Sequence, residues 1–71
     1  MFKIGDIVEL TKDVMIYDKG LLCQVVKIDD DNSNYGYVKI LKDPDGSEHT
    51  GSPKHANLTL FKLVERKGFY V

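Results

Sequence analysis

Cysteine is almost missing from this chain: Cys23 is the only one in 71 residues. An internal disulfide is therefore impossible, which removes the stapled secreted class and points to a reducing, cytoplasmic setting. Long hydrophobic runs are missing too. The apolar stretches stop after a few residues, far short of the ~20 that a membrane-spanning helix needs. No basic region leads into such a run at the N-terminus, so no secretory signal is expected. A surplus of one charge is the third absence. Ten Lys and Arg face eleven Asp and Glu, for a net charge of −1, and the basic residues are scattered. The electrostatic footprint of a strong nucleic-acid binder is not there. There is also no internal repeat, low-complexity tract or linker. Residues 1–71 read as one domain, with a core over about 4–64 and a tail over 65–71.

What is present is ordinary in bulk, with 42% hydrophobic and 30% charged residues, which excludes a disordered chain. The apolar content concentrates in Lys19-Gly-Leu-Leu-Cys-Gln-Val-Val-Lys-Ile28 and Tyr35-Gly-Tyr-Val-Lys-Ile-Leu41. Between them lies a polar gap of Asp and Asn, and the pattern predicts two strands joined by a tight turn. In 21–28 the apolar residues come in adjacent pairs, which predicts a long, bent strand with a bulge. In 35–41 alternation is clean. Val38 and Ile40 share a face with Gly36, and Tyr35, Tyr37, Lys39 and Leu41 share the other.

Shorter elements surround this hairpin. A tight turn at Gly5-Asp6 leads into a first strand with Val8 and Leu10 inward. Residues 14–17 are apolar but too few for a stable helix. A loop is expected there, and Met15, Ile16 and Tyr17 cannot all be buried in it. Pro44 and Gly46 mark a turn, and a short polar strand over 47–50 can follow. Ser52 as cap and Pro53 at the first position predict a single helical turn over 53–57. Residues 58–64 read as the last strand, and Glu65-Arg-Lys-Gly68 as a solvated end before the apolar Phe69-Tyr-Val71.

The order of these parts resembles an SH3-like barrel over roughly residues 4–64. Lys19-Gly-Leu-Leu-Cys-Gln-Val-Val-Lys-Ile28 resembles the Gly-x-x-Gly-x-Val-x-x-Val core of the KOW-type branch, with Cys23 where the second glycine stands. Gly5-Asp-Ile-Val and Ala56-Asn-Leu-Thr-Leu60 are similar to the variable chain of ferredoxin–thioredoxin reductase and to the small extrinsic subunit of photosystem I. Small phage and bacterial proteins share the outline. The resemblance implies a barrel that binds a protein partner and does no chemistry, as those accessory subunits do. Its KOW side implies weak nucleic-acid binding instead.

The residues themselves offer little chemistry. Asp29-Asp-Asp-Asn-Ser-Asn34 looks like part of a calcium loop, but the required Gly and Glu positions hold Asn34 and Ile40. His49 and His55 lack the further ligands that zinc needs. Cys23 with either histidine is the only candidate for a nucleophile and base, and its apolar neighbours mark it as a core residue. No catalytic residue, metal or cofactor is expected. Tyr35, Tyr37 and Lys39, with Lys27 beside them, fit three roles: cross-strand packing, a protein interface, or stacking against single-stranded nucleic acid. The expectation is an all-β, five-stranded SH3-like barrel with one short helical turn before the last strand. Its core is Val8, Leu10, Leu22, Val25, Ile28, Val38, Ile40, Leu58 and Leu60. It binds a protein through Met15, Ile16, Tyr17, Tyr35, Tyr37 and Lys39, with nucleic acid as the alternative partner.

Overall fold

The computed structural model describes residues 1–49 and 51–66. Five strands form one antiparallel sheet: β1 (Ile7–Leu10), β2 (Leu22–Ile28), β3 (Tyr35–Lys42), β4 (Lys54–Asn57) and β5 (Phe61–Glu65). Their spatial order is β4-β3-β2-β1-β5. The only helical element among the described residues is a 3-10 turn, Leu58–Leu60.

The β2–β3 hairpin is the centre of the sheet. Its polar connection turns on Asn32, whose carbonyl accepts the Tyr35 N–H at 3.0 Å and whose side chain accepts the Asn34 N–H at 3.0 Å. The ladder slips between Leu22 and Cys23 and again between Val25 and Lys27. These are the bulges that the paired apolar residues of 21–28 foretold.

The bulges correct the expected core. Leu10 and residues 20–21 lock the register, through the Leu10 N–H to the Leu21 carbonyl at 2.9 Å and the Gly20 N–H to the Leu10 carbonyl at 2.9 Å. Leu21, Cys23 and Val25 then face inward, and Leu22 lies on the other side, half-buried. The slip past Val25 returns Ile28 to the core. Leu21, Cys23 and Val25 form the buried cluster with Val8, Leu10, Val38 and Leu58, and Ile28, Ile40 and Leu60 pack against it.

The strand ends are also corrected. Residues 54–57 are not helical. They pair with β3 from Tyr35↔Asn57 to Val38↔Lys54. The helical turn comes after them because Asn57, not Ser52, supplies the cap: its side-chain oxygen accepts the Thr59 N–H at 3.0 Å. The last strand accordingly starts at Phe61. The polar strand expected over 47–50 reduces to one bridge, Lys42↔Glu48, and position 50 lies outside the described residues, as do residues 67–71. Arg66 is not free in solvent. Its guanidinium binds the buried Asp6 carboxylate at 2.9 and 3.0 Å.

Four strand spacings of ~4.8 Å separate β4 from β5 across a flat sheet, about 19 Å. Yet the 3-10 turn of three residues joins them, and four steps of ~2 Å span only about 8 Å. The sheet must therefore roll until its two edges meet at that end. The Leu58 N–H reaches the Asn34 carbonyl at 2.7 Å, and the Thr11 N–H reaches the Leu60 carbonyl at 2.9 Å. The turn is thereby pinned to both sides of the roll. Beyond it the edges part. Among the described residues no ladder joins β4 to β5, so the sheet is open and not a closed barrel.

Candidate binding surface

The clean alternation of β3 decides the outer face. Val38 is inward, so Tyr35, Tyr37 and Lys39 point out, and all three are exposed. Cross-strand register builds a row there: Lys27 on β2, Tyr37 on β3 and His55 on β4 stand opposite one another. The Lys27 ammonium sits 5.9 Å from the centre of the Tyr37 ring. The His55 ring stacks on Tyr35 at 5.9 Å and leans on Tyr37 at 4.9 Å. On its other side, His55 Nε2 lies 2.7 Å from Asp29 Oδ2. A carboxylate can only accept, so that nitrogen carries the proton. His49 makes the same kind of pair with Asp43 at 2.9 Å. Both histidines are thus committed to carboxylates. Among the described residues no three His, Cys, Asp or Glu side chains converge as metal ligands would.

Residues 14–17 make a separate feature. The Val14 and Tyr17 amides and carbonyls bond each other at 2.8 Å both ways, closing a tight two-residue turn. Met15 and Ile16 form its tip, 93% and 85% exposed. Tyr17 folds back and packs on the core with Val14. Of the residues expected to bind a partner, Tyr17 is therefore turned away from the stripe of Tyr35, Tyr37 and Lys39. Tyr17 lies on the inner side of the sheet, whereas Tyr35, Tyr37 and Lys39 lie on the outer side.

What connects the two features is a cleft of about 240 Å³ at the open seam of the roll. Met15, Tyr17 and Phe61, the four residues of β4, and the inward-facing Cys23 and Ile40 all line it. His55 belongs to both features: it lines the cleft and sits between the two tyrosines. Lys54, Ala56 and Asn57 were not legible as part of a site, and His55 drew notice only as a candidate ligand or base. The segment lacks any β-branched residue and follows a proline, so it reads as a helix start.

The chain matches no family model, no curated protein and no solved structure. Its functional reading therefore rests on this geometry. Among the described residues, no helix is long and apolar enough to cross a membrane.

Cys23 is fully buried, and burial pushes its thiol up to about 12. A protonated, enclosed sulfur is a poor nucleophile. A thiol reagent at pH 8 should leave the native protein unlabelled and label it fully in denaturant. Rapid native labelling would show that the cleft opens to Cys23.

Proposed function

We propose that the chain is a non-enzymatic protein-interaction module, an accessory subunit or inhibitor of a larger complex, on an SH3-like roll of strands. The observation that carries this reading is the Met15–Ile16 tip. Met15 holds a left-handed backbone, φ 55°, where Gly or Asn is the usual choice. Its apolar side chain is almost wholly in water, beside an apolar cleft. The fold gains nothing from it, and such a local departure is characteristic of a binding residue. Tyr35 and Tyr37, amphipathic and rigid, suit the rim of the same interface. The lone buried cysteine supports a cytoplasmic setting.

A signature follows. Met15→Asn should raise stability by about 0.5–1 kcal/mol by relieving the backbone, and should weaken partner binding. Ile16→Ser, made together with Met15→Asn, should weaken binding to a purified partner by about ten- to a hundredfold, the worth of two apolar anchors. Isothermal titration and thermal melts read both effects. Unchanged affinity in the double variant would remove the tip from the interface.

A second reading has one observation in its favour: Lys27 over Tyr37, with Lys39 on the same face, resembles a stacking platform for single-stranded nucleic acid. Asp29 against His55, followed by Asp30 and Asp31, sets negative charge where phosphates would run. Oligonucleotide binding at physiological salt, lost with Lys39→Ala, would establish this reading over the first.

A further inference from the structure

The free edge of β4 is built to accept another strand. The Asp29 N–H donates to the Tyr35 carbonyl at 3.0 Å, so the backbone of Tyr35 faces β2. In an antiparallel strand the direction alternates with each residue, so the backbone of Gly36 faces β4. Its partner is Ala56, whose N–H and C=O therefore face β3. By the same alternation, those of His55 and Asn57 face away from β3, along the cleft. Among the described residues no strand pairs with that side. Apolar side chains line the cleft beside it.

Size and charge narrow the occupant. At about 240 Å³ the cleft is below the ~300–1,000 Å³ that encloses a whole small molecule. It suits one or two side chains of a chain that itself runs along the rim. The cleft has no Asp or Glu in its lining, whereas Lys54 stands at its rim without an ion pair among the described residues.

We propose that an extended peptide segment of a partner protein adds to β4 as a sixth strand. It bonds the backbone of His55 and Asn57, drops alternate apolar side chains into the cleft and sets a carboxylate against Lys54. The proposal rests on the protein-interaction reading and names the chemistry of that partner. Main-chain bonds supply the affinity, and the cleft and Lys54 supply the selectivity.

The test uses a displayed library of random peptides selected on the purified chain. Selected peptides should share apolar residues at alternate positions beside Asp or Glu. Binding one of them as a synthetic peptide should slow hydrogen exchange at the His55 and Asn57 amides, which a purely side-chain contact would not do. Lys54→Glu, a surface change, should weaken binding by about tenfold, as for one partly desolvated charge pair. His55→Pro deletes one bonding amide on an edge that tolerates proline and should abolish binding. If that variant unfolds, the exchange measurement on the parent protein decides. The proposal is overturned if no peptide is selected, or if the selected peptides leave both amides exchanging freely. It is also overturned if β4 proves to pair with a second copy of the chain. A purified protein partner that binds without protecting those amides would sink strand addition and leave the broader reading standing. Binding confined to oligonucleotides would sink both.

Discussion

Gly36→Ala is expected to destabilise the protein by about 3 kcal/mol, at the upper end for overpacking in a closed site. A β-carbon there would stand 2.2 Å from the Lys27 carbonyl oxygen and 3.1 Å from the Ile28 α-carbon. Both are backbone atoms of the neighbouring strand, so no side chain can swing aside. The cause is the bulge: past Val25 the ladder slips and Ile28 comes opposite Gly36, with the strands pressed together. For a domain of this size, 3 kcal/mol is a fall in Tm of about 15 °C, out of a total of roughly 4–10 kcal/mol. Gly51→Ala is the control. Nothing lies within 4 Å of its β-carbon, and Tm should hold within a degree or two. If the two variants melt alike, the close approach of β2 and β3 is wrong.

That glycine shows where the sequence was readable. Alternation in β3 placed Gly36 with Val38 and Ile40, and the paired apolar residues of β2 announced a bulge. Both are local signals that the strand period carries directly. Which residues of 21–28 face inward was not readable, because Leu21 and Leu22 satisfy a core position equally. The choice is made by backbone bonds to Leu10, a partner distant in sequence. β4 escaped for a related reason. Four residues with weak strand preference become a strand only because β3 offers a ladder and the Tyr35 and Tyr37 rings hold His55. Tertiary context overrides propensity in such short pieces. Of the residues expected to form a binding surface, parity placed those of β3, and nothing local placed those of the 14–17 loop. Tyr35 and Tyr37 are outward as their parity requires, but only the rolled sheet shows that Met15 and Tyr17 line a cleft on its other side.

Asp6→Ala should cost about 2–3 kcal/mol, because it removes the acceptor of charge-assisted bonds from a closed site. The Asp6 side chain is 2% exposed. It accepts the Lys3 N–H at 2.8 Å, closing the turn that opens β1, and Arg66 Nε and Nη2 at 3.0 and 2.9 Å. One carboxylate thus ties the entry of the first strand to the residue that follows the last. The Arg66 guanidinium, foremost, and the Lys3 amide hold this carboxyl below its ordinary 3.8, and burial opposes them only in part. A lowered value in the folded state means that the unfolded chain takes up the proton first. The stabilisation is therefore complete above the ordinary carboxylate range. It is lost as pH falls from about 5 through 4 and on to the folded-state value. Asp6→Asn keeps the shape and discards the charge, so the difference in stability between it and the parent should be constant from about pH 5 to pH 8 and shrink below about pH 4. Arg66→Leu should flatten the same acid limb, since the guanidinium is its main cause. Urea melts across this pH range test the assignment. A parent–variant gap that stays undiminished as pH falls through the folded-state value would show that the charge on Asp6 is not what closes the strand ends together.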